Sequence, residues 1–181
     1  MNRRLVLKQL AMATAGAMLL PACGVDQKKV SIALNHLKVA GDEEDLLADI
    51  ADTMIPATNT PGAKTVGAHL FTLVMVDDCL SKEEQEKYLS GLRSFNDKTK
   101  ELYGKSFTKA SPEERLQLLS SLEKDGEKLP EDLKTFYSRS RQFIVQGYTS
   151  SQHFLTDIKP YQLIPGPDFK GCTPVTEQKP A

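Results

Sequence analysis

Helix start and stop signals divide residues 42–150 into five segments, and this division limits the folds open to the chain more than any other feature. The pairs Ser81/Glu84 and Ser111/Glu114 each place a serine three residues before a glutamate, which is the pattern of a capping box. Between these signals, apolar residues recur every three or four positions, as on one face of a helix. No part of the sequence shows a succession of β-strands with alternating apolar and polar residues. The sequence therefore predicts an all-α fold, a compact bundle of about five to six helices.

Most ends of the predicted helices are marked by residues that typically start or stop a helix. The five predicted helices cover residues 42–56, about 63–80, 81–104, a segment from 111 onward, and 130–147. The second is apolar on two sides, so we expect it in the centre of the core. We expect Leu102 on the inner face of the third helix, and Gly147 at an end or bend of the fifth. A short helix can follow Ser150. From Pro160 onward, five prolines predict an irregular tail.

The N-terminus resembles an export signal with a lipidation site. Arg3 and Arg4 stand before an uncharged apolar stretch at residues 10–20, which resembles a twin-arginine signal for the export of folded proteins. That stretch is too short to span a bilayer as a helix. Cys23 ends a run that resembles a lipobox, so we expect it to be acylated as the first residue of the mature chain. We therefore predict a signal peptide at residues 1–22 and a membrane-anchored lipoprotein on the periplasmic or cell-surface side.

The segment after the signal, residues 23–41, is interpreted as a tether or a loosely packed lead-in. Val30, Ile32 and Leu34 alternate there with smaller residues, which is compatible with a short extended stretch. In both interpretations the helical domain begins after this segment, at Asp42.

Composition and motifs argue against several classes of function. The chain has 23 Lys and Arg against 24 Asp and Glu, so it carries no basic surplus for binding nucleic acid. It contains no G-x-G-x-x-G loop, no phosphate-binding loop and no C-x-x-C-H haem motif. Its three histidines lack the spacing of a helical metal site, so each is expected to be a surface or packing residue. We therefore expect no catalytic residue, no metal and no cofactor in this chain.

Two acids and a cysteine follow one another at the predicted end of the second helix. Asp77 and Asp78 point in different directions from a helix, so they form no acid–base pair and are expected to be solvated. Cys79 lies on a mostly apolar helix and is expected to be buried, whereas Cys172 lies in an accessible tail. An exported protein meets oxidising conditions, in which disulfides form and persist. Three arrangements stay open: a Cys79–Cys172 bridge, a bridge from either cysteine to a partner chain, and two free thiols.

A longer pattern resembles a known family. Residues 51–63 read ADTMIPATNTPGA and strongly resemble the signature of the gluconate 2-dehydrogenase subunit 3 family. Shorter matches follow in order, at residues 67, 77–78, 104–107, 111–114, 147–150 and 161–172. The resemblance covers about residues 42–172, which leaves residues 173–181 as a tail.

The resemblance implies a non-catalytic small subunit of an exported dehydrogenase that oxidises sugars, sugar acids or polyols. It implies as partners a large GMC-type subunit that carries the FAD and a cytochrome c subunit that passes the electrons onward. The small subunit bears the export signal, escorts the folded large subunit across the membrane and stabilises it there. The alternative is a free-standing surface lipoprotein that binds a carbohydrate or another small ligand.

Two segments are expected to face this partner. In the loop after the first helix, prolines and a glycine restrict the backbone, and a rigid loop presents polar groups at little entropic cost. The residues of this loop are Pro56, Thr58, Asn59, Thr60, Pro61 and Gly62. In the tail, Tyr161 and Phe169 need a surface to cover them, and Cys172 can form a disulfide with the large subunit. For the loop, the alternative is a local role in packing the first two helices.

Replacing Cys23 by alanine (Cys23→Ala) is expected to release the mature protein from membranes, because the covalent lipid anchor is lost. Fractionation of cells that express the variant measures the membrane-bound share, and the unchanged signal sequence serves as the control for export. Unchanged membrane partitioning would point to a partner or to another anchor.

Overall fold

The capping serines and the apolar periodicity produce the helices that the sequence predicts. The structure is a computed structural model that describes residues 28–159, and within them it contains five α-helices and no β-strand. The α-helices are α1 (Gly41–Met54), α2 (Ala68–Cys79), α3 (Lys82–Tyr103), α4 (Pro112–Asp125) and α5 (Glu131–Thr149). Two short 3₁₀ helices (Phe107–Lys109 and Gly126–Lys128) and a π-helix (Phe154–Ile158) complete them. None of the helices in this part of the chain has the length and apolar composition needed to cross a bilayer.

Both predicted capping boxes are formed. The Ser81 hydroxyl accepts a hydrogen bond from the Glu84 N–H at 3.3 Å, and the Glu84 carboxylate accepts one from the Ser81 N–H at 3.3 Å. The same exchange joins Ser111 and Glu114 at the start of α4, at 2.7 and 3.3 Å. These bonds satisfy N–H groups that have no partner inside the helix, so α3 and α4 begin where the sequence predicts. Gly104, with φ 67°, ends α3 in the left-handed conformation.

The centre of the core lies between α3 and α5. The ring of Phe136 contacts the rings of Tyr88 and Phe95, with centroid separations of 5.2 and 5.7 Å. The Tyr88 hydroxyl makes a 2.9 Å hydrogen bond with the Ser140 hydroxyl, so this buried polar group has a partner. Burial raises the pKa of Tyr88 far above its usual value, and the Ser140 hydrogen bond offsets only part of that rise. The hydroxyl therefore stays protonated, and the aromatic cluster fixes α3 against α5.

Helices α1 and α2 form an antiparallel pair whose two ends carry different segments of the chain. At one end, a loop joins the last turn of α1 to the first turn of α2. At the other end, residues 28–40 contact the beginning of α1 and the end of α2. We call residues 28–40 the lead-in. The 14-residue helix α1 rises about 20 Å along its axis, so roughly that distance separates the two ends.

The lead-in is held against the start of α1. Glu44 accepts hydrogen bonds from the N–H and the hydroxyl of Ser31, at 2.7 and 2.5 Å. The Gly41 N–H donates to the Lys28 carbonyl at 2.7 Å, and Leu37 is buried in the core. From residue 28 onward, the segment interpreted as a tether or a loosely packed lead-in is therefore hydrogen-bonded to the start of α1. The physical reason is that backbone groups without partners in their own segment need acceptors elsewhere, and the first-turn carboxylate supplies them.

Asp77 holds the second half of the lead-in. Its carboxylate accepts hydrogen bonds from the N–H groups of residues 35, 36 and 37, at 2.6, 2.8 and 2.6 Å. Asp77 is only 3% exposed, whereas Asp78 is exposed. Burial is the largest influence on the pKa of Asp77 and raises it, but the three N–H donors together outweigh burial and hold that pKa below its usual value. The prediction that both acids are solvated is wrong for Asp77, because a helix sequence does not show which distant segment packs on its end.

Helix α2 differs from its prediction in two ways. It begins at Ala68 rather than near residue 63, because residues 63–67 form turns that end at Gly67 in the left-handed region, with φ 75°. Its buried side packs against α1 and α5 and includes Leu73. Val74, on the outer side, is 39% exposed, so α2 flanks the core instead of occupying its centre.

Two further residues depart from their expected roles. Helix α5 continues through Gly147 to Thr149. A Cβ at Gly147 would lie 2.9 Å from the ring of Phe71, so the glycine permits close contact with α2 rather than ending the helix. Leu102, expected on the inner face of α3, is 55% exposed near the end of that helix.

Replacing Asp77 by alanine (Asp77→Ala) is expected to lower the free energy of unfolding by about 3 kcal/mol, because three backbone donors lose a charged acceptor. Urea unfolding at pH 7, followed by circular dichroism, measures this change. The matched control is Asp78→Ala, the neighbouring exposed acid, which is expected to change the free energy of unfolding by less than about 0.5 kcal/mol.

The effect of Asp77→Ala is also expected to depend on pH. Because the pKa of Asp77 is lowered in the folded state, its stabilising contribution is complete above the unfolded-state pKa of about 3.9. That contribution is lost as the pH falls through the folded-state pKa. The difference in stability between the wild type and Asp77→Ala should therefore shrink in acid, and a constant difference would contradict the role of an ionised acceptor.

Candidate partner-binding site

The loop between α1 and α2 is closed by its own backbone. We call residues 56–62 the signature loop. The Ala63 N–H donates to the Ile55 carbonyl at 2.9 Å and so joins the two residues that flank the loop. Within the loop, the Thr58 N–H donates to the Thr60 carbonyl at 3.0 Å. Since Ala63 is fully buried, the base of the loop belongs to the core.

Gly62 allows the signature loop to close. A Cβ at this buried position would lie 2.6 Å from the backbone nitrogen of Ala57 and 2.8 Å from the carbonyl oxygen of Ile55. Both are backbone atoms, which cannot move aside as the end of a flexible side chain can. The base of the loop therefore has the packing role that the sequence analysis gave as an alternative.

The outer side of the signature loop presents polar side chains to solvent. Its exposed members are Pro56, Ala57, Thr58, Asn59 and Thr60. No hydrogen bond within residues 28–159 uses the side chains of Thr58, Asn59 or Thr60. The carbonyl of half-buried Pro61 accepts a hydrogen bond from the Tyr148 hydroxyl at 3.3 Å, which connects the loop to the end of α5. These side chains are thus held on a fixed backbone, so binding through them requires little ordering of the loop.

An apolar groove runs from the base of the signature loop along α5. Its apolar lining comes from α1, α4, α5 and their ends: Met54, Ile55, Leu116, Leu119, Leu122, Leu129, Tyr137 and Val145. The part beside the loop encloses about 230 Å³, and the adjoining part between α4 and α5 encloses about 640 Å³. Glu123 and Arg141 form a 2.9 Å ion pair at the groove. Leu116 and Val145 are 57% and 45% exposed, so the groove beside the loop presents apolar surface to solvent.

The sequence analysis did not identify this groove. Leu116 stands three residues before the buried Leu119, so it carries the same signal as a core residue. Val145 directly follows the buried Ile144 and has no such signal of its own. Whether such a residue is covered depends on the separation of α4 and α5, which the pattern does not contain.

A polar cleft of about 840 Å³ lies between α1 and α3. Its three basic side chains are each paired with an acid: Lys64 with Asp49 at 2.7 Å, Arg93 with Glu43 at 2.8 Å, and Lys100 with Asp97 at 3.2 Å. Because these cations already have partners within residues 28–159, the cleft presents none of them unpaired to an anionic ligand such as a sugar acid.

None of the histidines within residues 28–159 lines the cleft. His36 is exposed, and His69 is buried at the start of α2 with its Nδ1 unpartnered. Burial lowers the pKa of His69, so its imidazole is neutral at pH 7. The Nδ1 of His153 lies 2.7 Å from a carboxylate oxygen of Asp157. In the part of the chain that the structure describes, no group of three or more His, Cys, Asp or Glu residues could hold a metal ion.

Cys79 is exposed at the end of α2, where the sequence predicts a buried thiol. The difference arises because the apolar surface of α2 extends further around the helix than its contacts with α1 and α5. The sulfur of Cys79 lies 4.0 Å from that of Met75 on the same helix. The remaining predicted site residues lie outside the described residues: Arg3, Arg4, Cys23, Tyr161, Phe169 and Cys172.

Comparison with known proteins bears on this surface. The family model described as gluconate 2-dehydrogenase subunit 3 matches residues 41–166. The match begins at the first residue of α1 and includes all five α-helices and the signature loop. A search of curated proteins found no match, and neither did a search of solved structures. The resemblance inferred from residues 51–63 is confirmed by a match that extends over most of the chain.

Replacing Gly62 by alanine (Gly62→Ala) is expected to lower the free energy of unfolding by about 1–3 kcal/mol, because the added Cβ must displace backbone atoms. Denaturant unfolding of the mature protein measures the change. Thr60→Ala, two residues away and exposed, is the control and is expected to stay within about 0.5 kcal/mol of the wild type. Equal stabilities of the two variants would contradict the tight closure of the loop.

Proposed function

We propose, from the premise that the chain belongs to the gluconate 2-dehydrogenase subunit 3 family, that it is the non-catalytic small subunit of an exported FAD-dependent dehydrogenase. Membership makes the chain an accessory subunit of a dehydrogenase complex. The finer proposal is that the complex oxidises a sugar, a sugar acid or a polyol, and that a large GMC-type subunit holds the FAD. The observation that carries the proposal is the signature loop, which lies inside the matched region and presents its polar side chains outward.

The proposal assigns the redox chemistry to the partner. Binding of a flavin dinucleotide calls for a phosphate-binding backbone loop, and the sequence contains no G-x-G-x-x-G pattern. In the polar cleft, the charged side chains form ion pairs with one another and not with a group that could react with a substrate. A cytochrome c subunit is proposed as a further member of the complex, because electrons taken up by FAD need an acceptor.

Escort requires that two proteins cross the membrane as one folded unit. A twin-arginine signal directs export, and a partner without a signal of its own can cross while bound to the chain that carries one. The binding surface must therefore be complete before export. The signature loop fits this requirement, because its conformation is fixed by hydrogen bonds within the chain. After export, acylated Cys23 would hold the complex on the membrane, and Cys172 could join the large subunit through a disulfide.

Replacing Thr58, Asn59 and Thr60 together by alanine is expected to weaken the complex about 10- to 2,000-fold, because three hydrogen bonds of about 0.5–1.5 kcal/mol each can be lost. Titration of the variant with the purified large subunit measures the dissociation constant. The matched control is Ser94→Ala, which removes an exposed hydroxyl from α3. An unchanged dissociation constant in a folded triple variant would show that the loop does not contact the partner.

Replacing Arg3 and Arg4 by lysine (Arg3→Lys, Arg4→Lys) is expected to retain both this chain and the large subunit in the cytoplasm. The reason is that the paired arginines form the only export signal proposed for the complex. Cell fractionation with antibodies to each subunit measures the distribution. Continued export of the large subunit alone would contradict escort, while retention of both supports it.

The second candidate function is a free-standing surface lipoprotein that binds a carbohydrate or another small ligand. The polar cleft is the feature that favours it, because its volume of about 840 Å³ would accommodate such a ligand. Purification from the native membrane separates the two functions. A yellow flavoprotein that copurifies supports the dehydrogenase subunit, whereas a single chain that binds glycans supports the second candidate.

A further inference from the structure

Contacts with α1 and α2 hold the lead-in in place from Lys28 onward. The Lys28 carbonyl accepts a hydrogen bond from the Gly41 N–H at 2.7 Å, and its ammonium contacts the Asp45 carboxylate at 2.6 Å. Eight residues further on, the Asp77 carboxylate holds residues 35–37. The lead-in is thus fastened at both ends, and it covers the end of the molecule where α1 begins and α2 ends.

Only a short stretch of chain connects the lead-in to the proposed lipid anchor. Four residues, 24–27, separate Cys23 from Lys28. Even fully extended, the backbone between these two residues spans at most about 18 Å. An acylated Cys23 lies at the membrane surface, so this stretch keeps Lys28 and the lead-in close to that surface.

The exposed side of the lead-in has the composition of a surface at a membrane interface. Lys29 and Lys38 are exposed, and long lysine side chains place an aliphatic stem beside an apolar layer and an ammonium among headgroups. Val30, Ile32 and Leu34 are half-buried; they pack against the core and also line a shallow cavity of about 390 Å³. Apolar groups rimmed by lysines are typical of segments that lie in the interface plane.

Three of the four acids at residues 42–45 are engaged within the protein, and the fourth, Asp42, is exposed. Glu43 is paired with Arg93, Glu44 with Ser31, and Asp45 with Lys28. Because these carboxylates face partners of the chain itself, their repulsion of anionic headgroups is reduced.

We propose that the lead-in is a bilayer-contact surface, which lies on the membrane interface once Cys23 is acylated. This inference rests on the proposed lipid anchor. It sets the orientation of the whole molecule, because the signature loop lies at the other end of α1, about 20 Å away along the helix. The partner-binding end therefore points away from the bilayer and stays accessible to the dehydrogenase subunit.

Single tryptophans test this orientation, since the chain contains none. The full acylated mature protein is placed in phosphatidylcholine–phosphatidylglycerol vesicles, with or without brominated acyl chains that quench tryptophan at short range. The probe is Ala33→Trp, at an exposed position of the lead-in, and Lys38→Trp is a second probe. The matched control is Val145→Trp, an exposed apolar position in the groove beside the signature loop. Mass spectrometry of the N-terminal peptide establishes the acylation of Cys23.

Brominated lipid is expected to reduce the emission of both lead-in tryptophans about twofold or more, and to leave the emission at position 145 nearly unchanged. Equal quenching at the lead-in and at position 145, or none at the lead-in, in an acylated protein overturns the orientation alone. If the emission at position 33 changes on dilution of the protein, the lead-in contacts a second copy of the chain. That outcome also overturns the proposed orientation. If Cys23 of the native chain carries no acyl groups, the proposed lipid anchor is overturned, and so is the orientation that rests on it.

Discussion

The buried carboxylate of Asp77 is the interaction on which the arrangement of the N-terminal half depends. A charged group inside a protein is costly unless it is paired or fully hydrogen-bonded. Three N–H groups of the lead-in meet that requirement, so the carboxylate and the lead-in stabilise each other. The side-chain amide of Gln85 donates to the Asp77 carbonyl at 2.8 Å. The end of α2, the start of α3 and the lead-in are therefore joined at one residue.

This junction gives the molecule two ends that are covered by different segments of the chain. The lead-in covers the end where α1 begins, next to the site proposed for the lipid anchor. The signature loop closes the other end, where the Tyr148 hydroxyl connects it to α5. Helix α1 joins the two ends as a spacer of about 20 Å. A protein that is anchored at one end and binds a large partner at the other gains from such a separation, because neither contact obstructs the other.

The satisfied and unsatisfied groups of the described residues are distributed unevenly between the polar cleft and the signature loop. In the polar cleft, the basic side chains are already paired with acids of the same chain. On the signature loop, by contrast, the side chains of Thr58, Asn59 and Thr60 make no hydrogen bond within the described residues. Beside them, the groove around Leu116 and Val145 leaves apolar surface uncovered. Polar groups on a fixed backbone next to apolar surface are the usual components of a protein–protein interface.

The sequence by itself determined the local features of this protein. The sequence predicts the capping boxes at Ser81 and Ser111, the glycine that ends α3 and the loop at residues 56–62. Each of these features depends on residues that are only a few positions apart. The tertiary structure alone decided that Asp77 is buried under the lead-in and that Cys79 is exposed. It also decided that the groove beside the loop stays open. These outcomes depend on which distant segments pack together, and a helical pattern specifies which residues share a face but not what covers that face.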